Sequence, residues 1–310
     1  MSHLVFLMHG HLGSPRGLEN LAEALRVSSK NVRVHVAQSN AEAFLSTTDG
    51  VEAGGRRLAD EITRVAREHA GTAKYISLIG VSLGGIYCRW AVRLLAEHET
   101  ERVAGLIPFA FITLASPHIG VSHSASLHIL AAVHLAWHTG ADKTAGQLLG
   151  LDDDYEALWE MTAPPFLTAL RLFKHRALFA NLINDARVDY CSAALLLSPF
   201  CELHRADALA DKRLEIIGAY DVADYPQSPS HAAKPYATGA HLSDKQKAMM
   251  AALRTVQFTN VDVRLDGTLA AQMFGHSCIQ GAFVHYGLPG TQCINRIVNF
   301  VTQDTDEEEE

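Results

Sequence analysis

The chain has 310 residues, of which 48% are hydrophobic and 19% charged, an ordinary globular composition long enough to bury a large core. The formal charge of −8 is concentrated at one end, because Asp304, Asp306 and Glu307 to Glu310 carry six of the negative charges and leave a nearly neutral body. That body has no electrostatic footprint for nucleic acid and no basic stripe for an anionic membrane.

Leu4-Val5-Phe6-Leu7-Met8 is a continuous apolar run, as expected of a strand buried on both faces of a parallel sheet. It leads into the glycine-punctuated loop His9 to Pro15. A helix follows over about Leu18 to Val27, with Leu18, Leu21, Ala22 and Leu25 on one face. Val32 to Val36 alternates like a second strand, and Val51 to His69 carries Leu58, Ile62, Val65 and Ala66 at helical spacing. A third strand, Tyr75 to Ile79, enters Gly80-Val81-Ser82-Leu83-Gly84, and a helix-length apolar segment follows. A fourth strand lies within Gly105 to Leu114. This alternation predicts a parallel α/β sheet.

From Ile119 to about Phe173 (119–173) the strand rhythm lapses into helix-like sequence, read as a helical cap over the C-terminal edge of the sheet. His134 and His138 stand four residues apart there, but Leu135 occupies the place a zinc-protease motif gives to Glu, so no metal site is expected. Ala177 to Ile183 resumes strand character and ends at Asn184-Asp185. Residues 191–252 read as an irregular insertion, with a short strand at Leu214 to Ile217. Thr255 to Leu265 is the last sheet candidate, Gly267 to Gly275 loops to His276, and Cys293 to Val301 closes the fold as a helix. One α/β domain over 1–301 is expected, followed by a disordered acidic tail over 302–310.

Cys88, Cys191, Cys201, Cys278 and Cys293 are odd in number, scattered, and form no C-x-x-C, which suits reduced thiols. The opening apolar run is too short, and lacks the basic flank, to read as a signal peptide. No run of about 18 uncharged apolar residues offers a spanning helix. The expectation is a soluble cytoplasmic protein with no inferable protein partner.

Gly80-x-Ser82-x-Gly84 between a strand and a helix is the pattern of a nucleophile elbow, whose sharp turn needs residues without bulk two before and two after the serine. The pattern arises by chance often enough that its partners must be sought. A serine hydroxyl attacks a carbonyl only when a base takes its proton, and a carboxylate orients that base. Asp185, directly after a strand, is the favoured acid, with Asp221 and Asp189 as rivals. His276, in a loop after the last strand candidate, is favoured over His285 as the base. The developing oxyanion needs two backbone N–H donors. Leu83, following the serine, and His11, acting through its amide in the loop after the first strand, are the candidates.

Four stretches carry a resemblance to a known family: MHGHLGS (Met8 to Ser14), LIGVSLGGIYCRWAV (Leu78 to Val92), FITLASPHIGV (Phe111 to Val121) and FLTALRLFKHRALFANLINDARVDYCSAA (Phe166 to Ala194). Over roughly Val5 to Val301 the chain resembles the lipase-like serine esterase domain of eukaryotes, an α/β-hydrolase branch. The resemblance implies an α/β-hydrolase fold, a nucleophile at Ser82, an acid at Asp185 within N-D-x-x-V, and a histidine at His276 within H-x-x-I. At His11 the sequence departs from the apolar residue expected in the family.

Together these readings give a cofactor-free serine hydrolase that cleaves carboxylic esters through an acyl-enzyme. The apolar cap faces (Leu127, Ile129, Leu130, Val133, Trp137) would suit a lipid acyl chain and transient contact with a lipid surface. An acyltransferase or thioesterase on the same triad, and a non-enzymatic binding protein of the same fold, are the alternatives.

Overall fold

Leu4, Phe6 and Met8 face one side of the first strand and Val5 and Leu7 the other, and all five are buried. A strand with no polar face must be covered by helices on both sides, and that requirement fixes the architecture. The computed structural model describes residues 2–41, 46–121, 127–181, 185, 187–196, 215–221, 242–264, 276, 279–280 and 291–302.

In chain order the elements are β1 (Ser2–Met8), α1 (Glu19–Ser28), β2 (Val32–Val36), α2 (Val51–Glu68), β3 (Ala73–Val81) and α3 (Leu83–Leu95). A two-residue antiparallel pair, β4 (Ala96–Glu97) and β5 (Arg102–Val103), precedes β6 (Ile107–Leu114). Four helices follow: α4 (Leu127–His138), α5 (Lys143–Leu148), α6 (Glu156–Glu160) and α7 (Pro164–Arg171). Then come β7 (His175–Asn181), α8 (Tyr190–Ala194), β8 (Glu215–Asp221), α9 (Asp244–Arg254), β9 (Thr259–Arg264) and α10 (Thr291–Thr302).

Seven strands form one sheet in the order β2-β1-β3-β6-β7-β9-β8. Six run parallel, and β8 closes the edge antiparallel to β9. The carboxyl ends of β1, β3, β6, β7 and β9 therefore meet at one edge, the edge at which sheets of this kind carry their sites.

Helices α2, α3, α7, α8 and α9 cover the face bearing Leu4, Phe6, Leu78, Phe111 and Leu178. On the other face α1 and α10 pack over Val5, Leu7, Ile79, Ile112 and Phe179. Each fully buried Leu, Ile, Val or Phe contributes about 1.5–3 kcal/mol, so Ile294, Ile297, Phe300 and Val301 of α10 hold the second layer in place. On the first face, α2 and α3 approach closely. A Cβ on Gly54 would lie 2.3 Å from the Tyr87 ring, and one on Gly55 would lie 2.4 Å from Trp90 Cβ.

Three expectations shift. β7 begins two residues earlier than read, because His175 and Arg176 pair with Ala110 and Phe111 of β6, and residues 182–183 of the expected strand lie outside the described residues. The segment 119–173 carries α4 to α7 with turns between them, but its second half does not drape over the sheet edge. There α7 packs beside α3, with the Phe166 ring tilted against Trp90 at 5.1 Å between centroids and Leu167, Ala169 and Leu170 in the main core. The insertion 191–252 is irregular only in part, since it holds the full strand β8 and the capped helix α9.

On α4, Leu135 is 66% exposed, and His134 and His138 are also exposed. Trp137 leans on α5, where a Cβ on Gly146 would come within 2.0 Å of its ring. The side chains of Leu127, Ile129 and Leu130 lie outside the described residues, as does the acidic tail beyond Thr302. Among the described residues no helix is long and apolar enough to cross a membrane.

Candidate active site

Ser82 stands in the turn from β3 to α3 with φ 53° and ψ −127°. For a residue with a Cβ, such a conformation costs on the order of 1–3 kcal/mol and persists only when its surroundings enforce it. They do so here. The Ser82 N–H donates to Leu114 O at 2.8 Å, pinning the turn to the end of β6. A Cβ on Gly80 would sit 2.4 Å from Gly85 N, and one on Gly84 would sit 2.3 Å from Met8 O. A side chain at either position would push the helix off the sheet, so the pattern read from sequence has a steric basis. Ser82 remains partly exposed while its neighbours in β3 and α3 are buried. Its side chain does not cap α3, and the first-turn amides of a helix have no partner within the helix.

The loop after β1 lies against this turn. A Cβ on Gly10 would fall 2.7 Å from Ser82 Cβ and 3.2 Å from its Oγ. The Gly10 carbonyl accepts from His9 Nδ1 at 2.9 Å and from Gly13 N–H at 3.0 Å. Peptide planarity then directs the next N–H, that of His11, to the opposite side. Burial keeps the His9 pKa below its ordinary value, more than its bond to Gly10 O and the distant charge of Glu61 raise it. The ring is therefore neutral and holds its proton on Nδ1 for that bond. The imidazole of His11 is engaged elsewhere, with Nε2 donating to Asp142 Oδ2 at 2.8 Å.

Asp185 and His276, 91 residues apart in sequence, are brought together. His276 Nδ1 lies 2.9 Å from Asp185 Oδ2 and 3.0 Å from Oδ1, with side chains 10% and 3% exposed. Burial works to raise the Asp185 pKa. The charge and hydrogen bond of His276, the Asn181 amide and the Val188 N–H outweigh it and hold the pKa below the ordinary value. Asp185 Oδ2 accepts from Asn181 Nδ2 at 2.9 Å, and Oδ1 accepts from the N–H groups of Arg187 and Val188 at 3.0 Å each. A carboxylate so saturated is fixed in orientation, and it holds His276 in the tautomer with Nδ1 protonated and Nε2 free to accept.

Of the rival residues, the two acids lie within the described residues. Asp221 pairs with Thr259 at the start of β9, so it lies at the opposite edge of the sheet from Ser82. Asp189 precedes α8, and its carbonyl accepts from Ser192 and Ala193 N–H. His285 lies outside the described residues. Sequence reasoning missed Asn181, which stands four residues before Asp185 at the end of β7. It also missed Thr47 and Asp142, which hold the loop after β1 and carry no local motif. Arg89 was missed as well: it is buried within α3 and donates to the carbonyls of His118 and Met161 at 3.1 Å each. Burial lowers its pKa to about 9. The guanidinium tethers the Ser116-Pro117-His118 loop and the end of α6 to the helix that follows Ser82.

Comparison with known proteins gives the same direction. The family described as "Putative serine esterase (DUF676)" matches residues 1–201. Among curated relatives, "Putative lipase ROG1" of Saccharomyces cerevisiae is 30% identical over 210 residues, covering 65% of this chain and 30% of that protein. "Putative lipase C4A8.10" of Schizosaccharomyces pombe is 30% identical over 216 residues, covering 66% of this chain and 28% of that protein. The chain thus spans less than a third of the length of these relatives. Among solved structures, Aspergillus fumigatus lipase B superposes with a TM-score of 0.45 at 13% identity, covering 64% of this chain and 42% of that one. The match of the family over residues 1–201, on a mainly parallel sheet with the β3–Ser82–α3 turn, shows that the chain belongs to the serine esterase family DUF676 and has the α/β-hydrolase fold.

Proposed function

We propose that this chain hydrolyses carboxylic esters with Ser82 as nucleophile, His276 as general base and Asp185 as the carboxylate that orients it. The observation that carries this reading is the buried Asp185–His276 hydrogen bond, with Asp185 four residues beyond the carboxyl end of β7, the end of the parallel strands at which Ser82 holds its strained turn. His276 Nε2 takes the Ser82 proton as Oγ attacks the ester carbonyl, and Asp185 stabilises the imidazolium that forms. The Leu83 and His11 amides stabilise the oxyanion, a donor pair in which loss of one costs about 3 kcal/mol of barrier. His276 then protonates the departing alcohol, and water attacks the acyl-serine by the same route in reverse.

An apolar acyl chain is the substrate side we favour, supported by the outward Leu135 of α4. Cys88 is a buried thiol outside any disulfide, which fits a reducing compartment such as the cytosol.

The test is fluorophosphonate labelling of the native chain against Ser82→Ala. Labelling of the native chain alone is expected, and equal labelling of both would overturn the assignment. A series of p-nitrophenyl esters of rising chain length reads the acyl preference. Activity that falls steadily beyond acetate would exclude a lipid substrate.

A further inference from the structure

Resting on the reading of His11 as the second oxyanion donor, the contacts of that donor's loop carry a further step. Leu12 has φ 50°, the left-handed region that a non-glycine residue leaves unless it is held. It is held from both sides. Its own N–H donates to Thr47 Oγ1 at 2.9 Å, and the adjoining His11 ring donates to Asp142 Oδ2 at 2.8 Å. The second Asp142 oxygen, Oδ1, accepts the Ala145 N–H at 2.8 Å and caps α5. That helix is in turn anchored to the entry of α2, with Thr144 Oγ1 accepting from Gly50 N–H and Gln147 Oε1 from Val51 N–H, each at 2.9 Å. Its Gly146 is the seat of Trp137 from α4.

We infer that Asp142 is a positioning residue for the oxyanion step. One carboxylate joins the N-terminus of α5 to the loop that presents the His11 amide, so the α4–α5 segment and the oxyanion donor share one fixed point. Without this tie the strained loop at Leu12 loses its anchor to α5, and the His11 amide withdraws from the carbonyl oxygen as negative charge develops there. The contact acts on the transition state and leaves ground-state binding of the ester nearly unchanged.

Two variants isolate it. Asp142→Ser retains a helix cap but is too short to reach His11, while His11→Leu removes the ring and leaves both the amide and the α5 cap. With a p-nitrophenyl ester, each should lower kcat by about ten- to a hundredfold, as displacement of an oxyanion donor does, with KM within about twofold. The double variant should be no slower than the slower single one. Inhibition by a trifluoromethyl ketone, whose tetrahedral adduct carries the oxyanion, should weaken in parallel with kcat/KM. Unchanged kcat in His11→Leu, or a loss expressed wholly in KM, overturns the proposal. Because His11→Leu spares the α5 cap, it decides the matter even if Asp142→Ser proves unstable. Failure of the native chain to react with a fluorophosphonate at Ser82 would instead remove the underlying reading. Labelling that persists in all variants alongside unchanged kcat removes this inference alone.

Discussion

Gly10→Ala puts a single methyl between the loop after β1 and the nucleophile turn. Its carbon would fall 2.7 Å from Ser82 Cβ and 3.1 Å from Val81 O, where carbon atoms pack at about 3.5–4.0 Å. Ser82 cannot give way, because its N–H is bonded to Leu114 O and the next turn is pressed against the Met8 carbonyl. The loop must therefore retreat by about 1 Å, taking the His11 amide with it. A displacement of this size at a reacting centre costs about a hundredfold in rate, equivalent to about 2.7 kcal/mol of barrier. The same overpacking should lower stability by about 1–3 kcal/mol. The assay is steady-state hydrolysis of a short p-nitrophenyl ester beside a thermal melt, with Gly17→Ala as control. Among the described residues a Cβ on Gly17 meets Gln280 Nε2 alone, at 3.5 Å, so that variant should keep full activity. If Gly10→Ala retains kcat within about threefold of the native value while folded, the His11 amide is not an oxyanion donor.

Asp185→Asn preserves shape but cannot stabilise an imidazolium, and it sets an amide N–H against His276 Nδ1. It should lower kcat by roughly 10³–10⁴-fold with an unchanged near-ultraviolet circular dichroism spectrum; activity within tenfold of native would argue for another acid. Glu61 reports on the scaffold. Burial works to raise its pKa, but the His35 ring and the N–H groups of Gln38 and Ser39 hold it at about 2, below the ordinary 4.5. A depressed carboxylate stabilises the fold fully above its unfolded pKa and loses that contribution as pH falls from about 4.5 to about 2, a linkage on the order of 3 kcal/mol. Glu61→Gln should lower the urea midpoint at pH 7 and flatten its dependence across that acid window; parallel profiles for the two proteins would refute the linkage.

The sequence by itself determined the features that depend on near neighbours. Period and composition placed β1, α2 and β3 within a residue or two, because burial on both faces of a strand, or on one stripe of a helix, is written in consecutive side chains. The elbow was legible for the same reason: Gly80 and Gly84 answer clashes with atoms of the same turn and the adjacent β1. What the sequence left open was every choice that depends on which strand lies beside which. Asp185 and Asp221 each come after a strand candidate, and the sequence favours Asp185 without showing where in the sheet either strand lies. Their difference is that β8 runs antiparallel at the sheet edge, which carries Asp221 to the far end of β9. The partnership of Asp185 with His276 spans 91 residues, and that of His11 with Asp142 spans 131. Contacts at such separations have no periodicity to announce them, since they exist only after the parallel sheet has brought its loops to one edge. The tertiary structure alone decided them.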